Sequence, residues 1–274
     1  MKGTLQVSVS GVGFWCPRMP GWQVACEVLR GTSPMPVAEQ ARPSPVLLAP
    51  TERRRAPDTV AVALEVASRA CEMAGVSPQD LPSVFSSTHG DLPINDYMCA
   101  TLASTPKLLS PTKFHNSVHN AASGYWTIGT GSHQPSTALT AWGDSFAAGL
   151  LEAMVQCQAD NTPVLLVIYD VAAKGPLATV TPSAGMLGGA LVIRPGHVAG
   201  AVAQLSCAVQ ETTIAGGSNA ALPEPWAPAL AGIPIASAGA LFAALASAES
   251  HRLVWPVGRT TSLVVEVNPL NGVA

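Results

Sequence analysis

The chain has 274 residues, of which 48% are hydrophobic and only 11% are charged, and its formal net charge is −3. Typical soluble domains carry roughly 25% charged residues, so a surface this poor in charge favours a protein that buries part of it against a partner. The arginines at 53–55 form the one run of basic residues. The charge pattern therefore excludes nucleic acid and anionic membrane surfaces as expected ligands.

The sequence offers no sign of membrane insertion, export or metal binding. No apolar run reaches the roughly 18 residues that a spanning helix requires, and the first residues do not form a secretory signal. The six cysteines include no CxxC pair, which argues against a zinc site or a disulfide framework. We expect a cytoplasmic protein without membrane span, metal or cofactor, whose cysteines are core thiols.

The first predicted elements are a strand and an irregular excursion. The segment "LQVSVSGVGFW" alternates polar and apolar residues and ends in Gly11-x-Gly13, which predicts a strand that runs into a loop. A single Gly-x-Gly is weak evidence for nucleotide binding. Residues 31–50 are rich in proline and serine and predict a connection without regular structure.

A helix and a short buried strand follow. The segment "PDTVAVALEVASRACEMAG" places Val62, Val66 and Ala70 at helical spacing. Asp58 is the predicted N-cap and Gly75 the predicted terminator. The apolar segment "PSVFSST" predicts the strand.

The middle of the chain predicts a strand between two helices. From residue 114 we expect a loop, a helix at "AASGYWTIGTG", a strand at "STALTAW" and a helix at "SFAAGLLEAMVQC". Phe146, Leu150 and Met154 share one face of that last helix, so it is predicted to pack on a sheet.

The remaining segments complete an alternating pattern. The almost wholly apolar "TPVLLVIYDVA" is typical of a central parallel strand covered on both faces. Two strands at "GMLGGALVIRP" and "AVAQLSCAVQ", a helix at "ASAGALFAALASAE" and a strand at "TSLVVEV" follow. Alternation of this kind predicts a layered α/β fold.

Two motifs suggest chemistry, and each lacks a necessary part. Gly143-Asp144-Ser145 resembles the nucleophile block of a GDS-type esterase, but the block lies at mid-chain and no Asp-x-x-His pair follows to activate the serine. A serine esterase or acyltransferase that uses Ser145 is kept as the alternative function. His115 and His119 have helical i,i+4 spacing, but no third zinc ligand accompanies them, so a metal site is not predicted.

A larger block, "FHNSVHNAASGYWTIGTGSHQPSTALTAWGDSFAAGLLEA", resembles the nucleophile region of β-ketoacyl synthases, condensing enzymes of the thiolase superfamily. Matched without gaps, Gly124 falls on a helix glycine and 135–136 on a Pro-Ser strand start. Ala141-Trp142-Gly143 falls on the Thr-Ala-Cys that ends in the catalytic cysteine, so Gly143 stands at the nucleophile position.

The resemblance covers roughly residues 5–195 and is strongest over 114–172. It implies a thiolase-like layered α/β fold with a complete N-terminal half, residues 1–195, and a shortened C-terminal half, residues 196–274.

The same resemblance implies that catalysis has been lost. Glycine has no side chain to acylate, and Asp144 is expected to cap the next helix and to be held as a carboxylate by the helix dipole. Active synthases also use two histidines, in HGTGT and GHxxGAAG motifs, and neither motif occurs here. The segment "PIASAGALFAALASAE" looks like the helix of the second motif without its histidine.

Two phrases, "ERRRAPDTVAVALEVA" and "FHNSVHNAASGYW", resemble chain length factors, the synthase-like subunits found beside a true ketosynthase in aryl-polyene and related polyketide-like pathways. The resemblance implies a heterodimer with an active ketosynthase, with an acyl carrier protein reached through the complex. The partner contact would run through residues 136–142 and 113–120, with Phe114, Val118 and Trp142 limiting the depth of the acyl tunnel. The residues implied in this interface and tunnel are Phe114, His115, Asn116, Val118, Asn120, Trp142 and Asp144.

Overall fold

The computed structural model describes residues 4–181, 183–211 and 221–270. In these residues the chain forms one sheet of eight strands flanked by helices on both faces. The strands are β1 (Leu5–Trp15), β2 (Ser83–Ser86), β3 (Ser136–Leu139), β4 (Val164–Val171), β5 (Met186–Pro195), β6 (Ala203–Glu211), β7 (His251–Pro256) and β8 (Thr261–Pro269). The helices are α1 (Trp22–Leu29), α2 (Pro50–Arg55), α3 (Asp58–Ala74), α4 (Leu92–Ser104), α5 (Pro111–His115), α6 (Ala121–Thr130), α7 (Ser145–Ala159), α8 (Leu177–Val180), α9 (Ala227–Leu230) and α10 (Gly239–Ala246).

The strand order is β3-β2-β4-β5-β1-β6-β8-β7. β2 is parallel to both β3 and β4, and every other neighbouring pair is antiparallel. All eight residues of β4 are buried, as its apolar run predicted. The prediction of a central strand is confirmed, but the prediction that it is a parallel strand holds on one side only, because β4 is parallel to β2 and antiparallel to β5.

The first strand continues through its two glycines instead of ending at them. β1 extends to Trp15, and both Gly11 and Gly13 face α3 at very short range. A Cβ atom at Gly11 would overlap the carbonyl oxygen of Ala70, and one at Gly13 would overlap that of Val66. The glycines therefore allow a helix to approach the strand closely, and the predicted loop at this motif was wrong.

The long helix α3 ends as predicted but begins differently. Gly75 takes the left-handed conformation, with φ of 61°, and terminates the helix. The N-cap residue is Pro57, and no side chain caps the first turn. Asp58 lies inside that turn and forms an ion pair with Arg42 at 3.4 Å, so the prediction of Asp58 as N-cap was wrong by one residue.

Two apolar layers sandwich the sheet. α7, α10 and α1 cover one face, where Phe146, Leu150 and Met154 of α7 are buried as their spacing predicted. α3 and α6 cover the other face over β2, β4, β5 and β1. Within the described ranges, the strands after residue 195 extend the same sheet, and their apolar side chains join the first core. The division of the chain at residue 195 stays a prediction.

None of the helices in the described part of the chain combines the length and the apolar character needed to cross a lipid bilayer.

Candidate functional site

The turn between β3 and α7 is the centre of the candidate site. β3 ends at Leu139, earlier than predicted, and a 3-10 turn at Trp142–Asp144 leads into α7. Trp142 has a left-handed backbone, with φ of 54°, whereas Gly143 does not lie in that region. A strained strand-to-helix turn is the geometry that presents a nucleophile in hydrolases of the elbow type. Here the strain falls on a tryptophan, one residue before the glycine that the matching placed at the nucleophile position.

Neither Trp142 nor Gly143 can carry an acyl group. The indole of Trp142 is not a nucleophile, and Gly143 has no side chain. A Cβ atom added to Gly143 would meet no atom within 4 Å, so the space next to this glycine is open. The turn therefore has the shape of a nucleophile elbow, but neither Trp142 nor Gly143 supplies a nucleophile.

Ser145 stabilises the turn. Its side chain is buried, with 1% of the residue exposed. The hydroxyl donates to the carbonyl oxygen of Trp142 at 2.6 Å and accepts from the backbone N–H of Ala141 at 2.9 Å. In the described chain, no histidine or carboxylate hydrogen-bonds to this hydroxyl. The esterase alternative is not supported, because the serine is buried and has no base to remove its proton.

Asp144 differs from its predicted role in two respects. It stands at the N-cap position of α7, but its side chain makes no capping hydrogen bond. Partial burial raises the pKa of its carboxyl group above the ordinary value, whereas the helix dipole was expected to hold it as a carboxylate. The prediction that the side chain of Asp144 caps α7 was therefore wrong, whereas its expected charge as a carboxylate stays a prediction.

The C-terminal segment comes close to this turn. A small cavity of about 110 Å³ lies between Gly143, Asp144 and Ala147 on one side and Ser237, Trp255 and Pro256 on the other. Ser237 belongs to the segment that looks like a synthase motif helix without its histidine. Neither a histidine nor a cysteine lines the cavity, so no side chain there could activate a thioester.

His89 is a neighbour of the turn that sequence reasoning missed. Its imidazole packs against the indole of Trp142, with ring centroids 5.1 Å apart and ring planes at 86°. His89 lies in the loop after β2, far from Trp142 in the sequence. The parallel pairing of β2 with β3 brings the ends of the two strands together. No local pattern in the sequence signals that contact.

Exposed apolar side chains are concentrated near β3. Half of the large apolar side chains that the described chain exposes lie between residues 102 and 142, which is about a seventh of the sequence. Trp142 is 72% exposed, Phe114 60% and Ile128 82%. These residues are Leu102, Leu108, Phe114, Val118, Ile128 and Trp142. Exposed apolar side chains of this size are typical of surfaces that bind a partner.

A groove and a free strand edge belong to the same region. The groove has a volume of about 320 Å³ and is lined by Val118, Asn120, Gly124 and Ile128, among others. β3 is an edge strand of the described sheet and pairs with β2 alone. Its other edge presents backbone N–H and C=O groups that another strand could pair with.

The other residues of segment 113–120 differ in whether their side chains are exposed or buried. His115, Val118 and Asn120 are exposed. Asn116 is only 3% exposed, so its side chain is beneath the surface and is not available for the predicted contact. The imidazole of His119 points inward and hydrogen-bonds the carbonyl oxygen of Ser87 at 3.1 Å.

The two histidines of that segment do not share a metal-binding face. The ring of His115 packs against Tyr125, with centroids 6.4 Å apart, whereas His119 binds the backbone. Over the described ranges, no cluster of three or more potential ligands is found.

Five of the six cysteines are buried as predicted, but the prediction was wrong for Cys99, which lies on α4 and is exposed. Burial raises the pKa of the buried thiols to about 11 or 12, which keeps them protonated and unreactive.

Comparison with known proteins places this chain in a family. Residues 29–246 match the model of the β-ketoacyl synthase N-terminal domain. The match covers most of the chain, so the protein belongs to the β-ketoacyl synthase N-terminal domain family. No curated protein sequence matches it.

Solved structures show the same thiolase-like fold. A chain of the complex of the ketosynthase ApeO with its chain length factor ApeC from Xenorhabdus doucetiae is similar over 95% of this chain and 99% of its own length, with 21% identity and a TM-score of 0.70. The ishigamide ketosynthase/chain length factor matches with 14% identity and a TM-score of 0.72, over 97% of this chain and all of the other. A chain of the AntDE:AntF complex, a ketosynthase with its acyl carrier protein, matches with 9% identity and a TM-score of 0.74, over 98% of this chain and all of the other. At these identities the likeness establishes the fold.

Proposed function

We propose that this chain is a non-catalytic chain length factor that pairs with an active ketosynthase. The observation that carries the proposal is the turn at Trp142–Asp144, which keeps a strained strand-to-helix geometry but has no nucleophile. A condensing enzyme needs a thiolate at that position, because the acyl chain is held there as a thioester. A family member without one can still contribute its surface to a partner's reaction.

The surface around β3 supports the pairing. The free edge of β3 offers unpaired backbone groups, and the exposed side chains of Phe114, Val118 and Trp142 lie in the segments on either side of it in the sequence. A partner that adds a strand to this edge would pair those groups and remove the apolar side chains from water. The low charge content of the chain is consistent with such a covered surface.

Within the pair, we assign Phe114, Val118 and Trp142 to the end of the partner's acyl tunnel. Exposed, bulky side chains at that place would stop a growing chain by steric overlap. His115, Asn120 and Asp144 would contact the partner around them. The acyl carrier protein would reach this chain only through the complex.

The supported pathway class is polyketide-like synthesis, and the finer assignment we propose is aryl-polyene synthesis in the cytoplasm. Two of the similar solved structures are ketosynthase and chain length factor pairs, one of them ApeO with ApeC. The phrases in 52–67 and 114–126 that resemble aryl-polyene chain length factors lie around α3 and before β3.

Co-expression with a candidate ketosynthase partner tests the pairing. We expect a one-to-one complex that condenses malonyl and acyl thioesters, and no turnover by this chain alone. In that complex, Trp142→Gly and Phe114→Ala should lengthen the products. A chain that purifies only as an active monomer, or that a fluorophosphonate labels at Ser145, would refute the proposal.

A further inference from the structure

We propose that His89 is a positioning residue for Trp142 and that the buried Asp170 fixes the loop that carries His89. The effect on product length that follows from this proposal rests on the proposed function. The positioning itself is a property of this chain alone and is testable without a partner.

The first step is the contact between the two rings. The indole of Trp142 is mostly exposed, and the imidazole of His89 stands edge-to-face against it, with centroids 5.1 Å apart. An exposed tryptophan without such a contact would sample several rotamers. The imidazole therefore limits the directions in which the indole can point.

The second step is the rigidity of the loop that carries His89. Asp170, at the end of β4, is buried. One oxygen of its carboxyl group accepts from the Ser87 hydroxyl at 2.8 Å and from the N–H of Thr88 at 3.0 Å. The Ser87 hydroxyl also accepts from the N–H of Gly90 at 2.9 Å. These three bonds hold residues 87, 88 and 90 on both sides of His89.

The third step is a set of contacts between this loop and the neighbouring segments. Thr140, just after β3, donates its hydroxyl to the carbonyl oxygen of Thr88 at 2.9 Å. His119 donates to the carbonyl oxygen of Ser87 at 3.1 Å. On the other side, Ser145 fixes the backbone of Trp142 through its hydrogen bond to the carbonyl oxygen.

Hydrogen bonds to buried polar side chains thus hold the loop that carries His89 and the backbone of Trp142. A side chain that blocks the end of an acyl tunnel sets a single product length only if it keeps one position. If Trp142 is that stop, loss of His89 widens the product distribution, whereas loss of the indole moves it to longer products.

Fluorine NMR of the full chain labelled with 5-fluorotryptophan tests the positioning. Trp142→Phe identifies the Trp142 resonance among the six tryptophans. His89→Ala should shift and broaden that resonance and leave the other five in place. Ser87→Ala, which removes the link between Asp170 and Gly90, should move it in the same direction by a smaller amount. His115→Ala, a matched loss of an exposed imidazole that packs on Tyr125, should leave it unchanged. A Trp142 resonance that is the same in His89→Ala and in the unmodified chain would overturn the proposal.

Product analysis of the complex with its ketosynthase separates the two proposals. A wider distribution for His89→Ala together with longer products for Trp142→Gly supports both. A shifted resonance with no product change in either variant supports the positioning of Trp142 and refutes the tunnel function. Longer products for Trp142→Gly with an unchanged distribution for His89→Ala refutes the role of His89 in setting length.

Discussion

Replacement of Trp142 by alanine should weaken binding to the ketosynthase without destabilising the free chain. The side chain is 72% exposed in the chain alone, so its removal costs little packing there. A tryptophan buries on the order of 150–250 Å² when it is fully covered, and 72% of that area at about 25 cal/mol per Å² gives a ceiling of about 3 to 4.5 kcal/mol. Part of this is offset by the ordering of the side chain on binding. We expect a loss of about 2 to 3 kcal/mol, or roughly 30- to 150-fold in Kd.

Calorimetric titration of the two subunits measures this loss, and urea unfolding of the free variant checks that its fold is intact. The matched control is Val37→Ala, because Val37 is 93% exposed and lies in the excursion after α1, remote in sequence from β3. That variant should bind like the unmodified chain. Equal Kd values for Trp142→Ala and Val37→Ala would refute the interface at β3.

Three further predictions concern the turn, the core and the thiols. Ser145→Ala should lower the free energy of urea unfolding by about 1 to 2 kcal/mol, because the two hydrogen bonds of a buried hydroxyl are lost. An unchanged free energy of unfolding would show that Ser145 does not stabilise the turn. Gly13→Ala should lower the free energy of unfolding by at least about 2 kcal/mol, because the added Cβ atom overlaps α3. Gly143→Ala should lower it by much less, because Gly143 faces open space. Equal losses for the two variants would contradict the close packing of β1 against α3. Iodoacetamide at pH 8 should label Cys99 alone, with Cys99→Ser unlabelled, and peptide mapping that finds a second cysteine would contradict the burial.

The sequence predicted those parts of the fold in which burial shows directly in the local pattern. β4 is buried on both faces, and its apolar run has no polar interruption until Asp170. The helical spacing of Phe146, Leu150 and Met154 identified the buried face of α7. Both predictions succeed because a strand or helix that faces the core must repeat apolar residues at its own period.

Features set by distant segments were not predictable in this way. Gly11 and Gly13 suggested a loop because the helix that packs on them, α3, lies more than 40 residues later. β4 is antiparallel to β5 because of the direction in which the chain re-enters the sheet. The amino-acid composition of β4 does not reveal that direction. β7 was missed, and it pairs with β8 at the far edge of the sheet.

The candidate site was predicted in part. The resemblance indicated that the turn after β3 lacks a cysteine, and in the structure Trp142 and Gly143 supply neither a thiol nor a hydroxyl there. It did not reveal that the left-handed residue is Trp142, that Asn116 is buried, or that His89 packs on the indole. Each of these depends on hydrogen bonds and contacts in the folded chain that no local sequence pattern signals.

The most direct test of a turn without a nucleophile is intact-mass spectrometry of the complex after incubation with an acyl-loaded carrier protein. We predict that the acyl group is found on the ketosynthase subunit and that the mass of this chain is unchanged. An acyl adduct on this chain that peptide mapping places within residues 142–145 would contradict a non-catalytic role.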